Sequence, residues 1–197
     1  DENTTGIINA SSVKTLTGSY SDLNKAYASS GITDLTNKSI IVNSGTASVS
    51  QLNTLGAFTT GILTANILEG DMNTLAGIKE SGNALTIRVT DRSVAADELN
   101  KLDEKTTVAI RVNSLTLTGT NKEKLTAYSA NQAGTIVGLE TSFDAESYLA
   151  SNADLLKAFN SDIAKAKTHF FDYGLNESRN LDSFDEKTYL ASHIDLL

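Results

Sequence analysis

Short apolar runs rich in β-branched residues recur along the first two thirds of the chain: IIVN (40–43), ILTANIL (62–68), LTIRV (85–89), VAIRV (108–112) and TIVGL (135–139). Their starts lie 22 to 27 residues apart. Runs of this length and composition predict buried strands. The segments between them carry helical spacing instead. In 48–58, Val49, Leu52, Leu55 and Phe58 recur every three residues, and in 71–79 Met72, Leu75 and Ile78 do so behind Asp71 as a cap. In 93–105, Val94, Leu99 and Leu102 suit one face, with Ser93 as N-cap ahead of Asp97 and Glu98; in 19–28, Leu23, Ala26 and Tyr27 serve.

The order is strand, short helix, strand, short helix, in units of about 24 residues. Such a unit cannot bury its own apolar face, but stacked neighbours can. The expected fold class is therefore α/β: a strand–short-helix solenoid with a parallel sheet along one side. Two alternatives stand beside it, an ordinary layered α/β domain with right-handed crossovers and a pure β-solenoid, since NSLTLTGT (113–120) suits an extended chain throughout. Looser repeats fit stacking. TLTG at 15–18 returns at 116–119 and AY at 26–27 returns at 127–128. Leu52-Asn53 and Thr59-Thr60 return as Leu99-Asn100 and Thr106-Thr107.

Near residue 140 the strand signals stop and Phe and Tyr become frequent. Residues 1–140 are read as the α/β repeat domain and 141–197 as a small all-α module. Within the module FDAESYLASNADLL (143–156) reappears as FDEKTYLASHIDLL (184–197), identical at nine of fourteen positions. One complete copy, 142–182, is followed by a truncated one, 183–197. Asp144, Asn152 and Ser161 are expected helix caps, and Ile163, Ala166, Phe170 and Tyr173 share a face. Gly174 suits a left-handed C′ position. Tyr189 and Leu190 are expected either to pack on the first copy or to belong to a loose tail beyond Asp185.

Composition narrows the function. Of 197 residues 40% are hydrophobic and only 6% aromatic, so the core is aliphatic. The net charge of −8 opposes binding to nucleic acid or anionic membrane surfaces. No apolar run approaches the length of a membrane span. Cysteine is absent, which removes disulfides, thiolate metal sites and a cysteine nucleophile; proline is absent too. The start, DENTTGIINA, shows neither an initiating Met nor a signal peptide. The chain is expected to be a segment of a longer protein.

Little in the sequence suggests catalysis. The histidines are His169 and His193; neither sits in a zinc-like cluster, and His193 stands where the preceding copy has Asn152. Either would need an acidic partner to act as acid or base. No nucleophile elbow, phosphate loop or dinucleotide fingerprint occurs. The chain is expected not to be an enzyme, with no catalytic or cofactor-binding residues. The candidate metal ligands are carboxylates suited to Ca2+: Asp71, Asp91, Asp154, Asp162, Asp182 and Asp185. Each has a competing reading as a helix cap or turn residue. Asp154 and its repeat Asp195 fall in a first helical turn, where a carboxylate favours the helix dipole.

One resemblance adds a setting. The pattern FDA-x-x-YLASN-x-DL-x-x-AF-x-x-D-x-x-x-A-x-x-H-[FY]-x-x-[YF]-G-x-x-E-x-R spans Phe143 to Arg179. It resembles a helical repeat of roughly forty residues found in large secreted bacterial surface proteins, many of them type I secretion substrates with calcium-binding glycine-rich repeats elsewhere. The family has Pro where Ala153 and Ile194 stand, and Gly where Asn160 and Ser178 stand. The resemblance implies secretion to the cell surface and a place in an S-layer, adhesin or extracellular filament. It also implies neighbouring copies or domains of the same protein as partners, and Ca2+ as an aid to folding. The expected role is a structural segment that extends a repeat scaffold and mediates assembly or attachment. The alternative is a ligand-binding module for glycan, Ca2+ or ice.

Overall fold

A computed structural model describes residues 5–113 and 115–192. In chain order, β1 (Ile8–Asn9) and β2 (Thr15–Gly18) lead into α1 (Tyr20–Ala28). β3 (Ile32–Thr33) and β4 (Ser39–Val42) precede α2 (Val49–Gly56), and β5 (Leu63–Asn66) precedes α3 (Met72–Leu75). β6 (Ala84–Thr86) and β7 (Ser93–Ala95) precede α4 (Ala96–Asp103). β8 (Ile110–Arg111) and β9 (Thr116–Thr118) precede α5 (Asn121–Ala133), and β10 (Ile136–Val137) is followed by a 3-10 turn, Leu139–Thr141. Then come α6 (Ala145–Ala150), α7 (Ala153–Phe159), α8 (Ile163–His169) running into a π turn at Phe170–Gly174, and α9 (Glu186–Ser192).

The fold is mixed α/β with parallel sheets. β2, β4, β5 and β6 lie side by side in sequence order, with Thr15 opposite Ser39, Ile40 opposite Leu63 and Thr64 opposite Ala84. Bridges Asn83–Thr106 and Arg88–Arg111 carry the ladder on toward β8, which pairs with β10. Shorter parallel pairs, β1 with β3 and β7 with β9, accompany it. Parallel neighbours need a crossover, and the short helices supply it. Strand alternation sets the faces: Leu63, Ala65 and Ile67 point inward while Ile62, Thr64, Asn66 and Leu68 point out. The inward row meets Leu52 and Leu55 of α2, Met72 and Leu75 of α3, and Leu99 and Leu102 of α4 in one contiguous core.

Local chemistry explains most boundaries. Ser48 caps α2 through a capping box with Gln51, and Asp71 caps α3. α5 has a capping box of Thr120 and Glu123. The first TLTG is β2 and the first three residues of the second form β9, and both AY pairs lie in helices, α1 and α5. Three expectations are corrected. Ser93 opens β7, so α4 starts at Ala96 behind Ala95 with no side-chain cap. The run 113–120 is not extended throughout, because Gly119 takes φ of 112° just ahead of the Thr120 cap of α5. Asp162, not Ser161, caps α8.

The C-terminal helices pack against α5. Tyr128 meets Phe143, Phe170 and Phe171 edge-on, and Phe143 stacks on Phe170 at 4.1 Å. Asn121 donates to the Arg179 carbonyl and accepts from Leu181 N–H, while Gln132 donates to the Phe171 carbonyl. α9 is held to the first copy through Ser151 Oγ, which accepts from the Ser183 and Phe184 amides. Tyr189 and Leu190 are both partly exposed, and Tyr189 lies against Phe184 of its own segment. His193, Ile194 and Asp195 lie outside the described residues. No helix among the described residues is long and apolar enough to cross a membrane.

Candidate functional site

The candidate calcium ligands are dispersed among structural tasks. Asp71 Oδ1 accepts from Thr74 N–H, and Asp91 Oδ2 accepts from Met72 N–H at 2.7 Å. These two carboxylates therefore serve one helix start, that of α3. The Thr74 hydroxyl and N–H hold the Asp71 carboxyl below its ordinary pKa. Asp154 is gripped through both oxygens by Arg179 Nη1, at 2.9 and 2.8 Å, which lowers its pKa; Arg179 Nε is bonded to Glu177. Asp162 accepts from Lys165 N–H, and its carboxyl lies 3.4 Å from Lys165 Nζ. Asp185 accepts from the Thr188 amide and hydroxyl. Asp182 borders a small cavity of about 150 Å3 with Asp144 and Tyr128. Among the described residues, no group of three or more His, Asp or Glu side chains is placed to hold one metal ion.

The aromatic residues converge on His169. Its Nδ1 lies 3.1 Å from the Tyr148 hydroxyl, and its ring sits beside Phe159 at 5.5 Å and Tyr173 at 5.6 Å. The π turn makes this possible. Leu175 N–H bonds back to the Phe170 carbonyl, five residues away, and the widened turn leaves Tyr173 60% exposed while Phe170 stays buried. Gly174 is not in the left-handed region. It is small because the Tyr148 hydroxyl occupies the place a Cβ would take. Phe159, Asp162, Lys165, Thr168, His169 and Tyr173 border an open depression of about 420 Å3. The histidine is thus held by a phenol among aromatic rings.

Burial pushes the Tyr148 phenol from 10.0 up to about 12, with Arg179 pulling the other way, and burial also raises the Tyr128 phenol. The folded chain therefore favours the neutral rings. Their contribution to stability is complete below the ordinary phenol value and is lost as pH rises through the raised one. Absorbance at 295 nm during an alkaline titration is expected to show these two phenols ionising above the exposed tyrosines, together with loss of near-ultraviolet circular dichroism. Ionisation of all tyrosines near pH 10 with the fold intact would contradict this burial.

A third set of contacts recurs at matching separations along the chain. Thr60 Oγ1 donates to the Thr36 carbonyl and Thr107 Oγ1 to the Asn83 carbonyl, each 24 residues back. Thr59 Oγ1 donates to the Lys38 carbonyl and Thr106 Oγ1 to the Leu85 carbonyl. Asn53 and Asn100 reach forward to the carbonyls of Gly77 and Glu123. Glu69 and Asp91 reach back to the first amides of α2 and α3. In the sequence these threonines and asparagines share a common offset of 47 residues. Their hydroxyls are turned to backbone, and the outward sheet face carries Arg88 and Arg111 in register, so this face is not a uniform threonine array.

No family model, curated protein or solved structure matches the chain.

Proposed function

We propose that this chain is a non-catalytic structural segment of a secreted bacterial cell-surface protein. In this reading the strand–helix units stack as a solenoid, and the C-terminal helices are a repeat module that closes one end. Its work is geometric: it extends a scaffold and presents surfaces to neighbouring domains or copies. The observation that carries the reading is the recurrence of the same polar contacts between successive parallel strands, Thr60 to Thr36 and Thr107 to Asn83 among them. Stability in such a stack is a sum over units and interfaces, so a unit can be added without changing the rest. The surface setting comes from the resemblance at residues 143–179. The aromatic-lined depression at His169 favours a second reading, a glycan-binding module, in which Tyr173 would offer a stacking face.

A duplicated unit tests the first reading. A copy of residues 40–62 inserted after Ile62 preserves the register that pairs Ile40 with Leu63. The enlarged chain is expected to fold cooperatively, with a steeper dependence on denaturant. In single-molecule pulling it should release about 80 Å more contour length at an unchanged force. An inserted segment that stays unfolded, or that destroys the fold, would overturn the stacked-unit reading.

A further inference from the structure

We propose that the outer edge of β2 is an interaction surface for a further strand–helix unit whose strand runs parallel to β2. The inference rests on the stacked-unit reading and extends it to the end of the stack. Three observations at one place carry it. First, β2 is an edge strand of its sheet. The Lys14 and Gly18 carbonyls accept from Ser39 and Asn43 on the β4 side. By strand alternation the backbone groups of Thr15 and Thr17 face the other way. An edge of this kind is a template for another strand.

Second, the core stops short there. Leu16 is in register with Ile40, and Ile40 with Leu63. Those partners are 0% and 2% exposed, whereas Leu16 is only half-buried, and Ile7, Ile8 and Val13 in the segment preceding it are exposed. The opposite end differs: there Tyr128, Phe143 and Phe170 cover the core.

Third, a lysine marks the register. Thr15 is opposite Ser39, so Lys14 corresponds to Lys38. Lys38 is 5% exposed, and its Nζ donates to the Ser11 carbonyl of the preceding unit at 3.2 Å. A buried ammonium is tolerable only with such a partner. Lys14 is exposed. A unit seated on β2 supplies the carbonyl that Ser11 supplies to Lys38. The occupant is thus defined by continuity with an interface already present: a strand bonding to Thr15 and Thr17, and a helix covering Leu16 and packing beside α1. A lone extended peptide would bond the edge but leave Leu16 uncovered.

The test places a unit there in the full chain, by inserting a copy of residues 15–38 between Lys14 and Thr15. Hydrogen exchange is expected to show the amides of the original Thr15 and Thr17 exchanging freely in the native chain and strongly protected in the extended one. The melting temperature is expected to rise. Lys14→Met is expected to leave the native chain's melting temperature unchanged. Methionine in place of the lysine immediately ahead of the original Thr15 should lower that of the extended chain. If the inserted residues exchange as coil while the rest melts as before, the inference falls. It falls alone when the insertion after Ile62 folds, and together with the stacked-unit reading when both insertions fail. Pairing of whole chains through this edge, seen as a concentration-dependent dimer of the native protein that protects Thr15 and Thr17, would also overturn it.

Discussion

Phe170→Ala is expected to release the C-terminal helices while the parallel ladder stays folded. Phe170 is fully buried, stacks on Phe143 and meets Tyr128, Tyr148 and Phe171 edge-on. Truncating a buried phenylalanine costs about 3–5 kcal/mol, from lost burial and the cavity left behind. The loss concentrates in one place because Phe170 joins the rings of the C-terminal helices to Tyr128; beside the Tyr128 contacts with Phe143 and Phe171, the helices are tied to α5 by hydrogen bonds at its two ends, from Asn121 and Gln132. Those are worth roughly 1 kcal/mol each. Thermal unfolding followed by circular dichroism should split into two steps. Amide exchange should accelerate in α6 to α8 but not in β4 to β6. Phe171→Ala removes a half-buried ring at the rim and should cost less. A single unsplit transition for Phe170→Ala would show that the ladder depends on the helices for its own stability.

What the sequence disclosed, and what it hid, follows from the range of each interaction. α2 was legible because its whole signal is local: the Ser48–Gln51 capping box, then Val49, Leu52 and Leu55 on one face. α5 was not. Its buried residues are Ala127 and Tyr128, and the apolar surface they meet comes from Phe143 and Phe170, which no local window contains. The threonine pairs were visible as a spacing, but the carbonyl partners of Thr60 and Thr107 lie 24 residues away and are reached only once parallel strands are in register. Asp71 could be read as a cap because its recipient, Thr74, is three residues on. Asp91 could not, because it caps α3 from 19 residues downstream. Asn160 and Ser178 take the left-handed backbone, with φ of 48° and 51°. Gly174 is required instead by the Tyr148 hydroxyl, a contact between helices that sequence spacing does not encode. The parallel architecture was therefore readable from periodicity. The candidate site was readable only in its parts, since His169, Tyr148 and Phe159 are joined by tertiary packing and a π turn.

Gly138→Ala is expected to be as damaging as losing a core ring, although it adds only a methyl group. Gly138 lies where the chain leaves β10 for the 3-10 turn, with φ of 108°. An L residue held there is strained by about 1–3 kcal/mol. The added Cβ would also fall on the Val112 carbonyl oxygen, which is backbone and has little room to yield. Val112 N–H is already bonded to the Val137 carbonyl at 2.9 Å, and Leu139 N–H to Asn131 Oδ1 at 3.0 Å. Relieving the clash therefore means loosening the last ladder bonds or turning the helices away from α5. Strain and clash together should cost about 3–5 kcal/mol, measured by equilibrium denaturation. Gly134→Ala separates the two causes. Gly134 has φ of 83° at the end of α5, with nothing near the place of its Cβ. It should lose only about 1 kcal/mol from the backbone alone. Equal losses in the two variants would mean that the approach of Gly138 to Val112 does not constrain the chain. The expected difference, with faster exchange at Val112 and Leu139 in Gly138→Ala, would identify this glycine as the point that fixes how the helices follow the ladder.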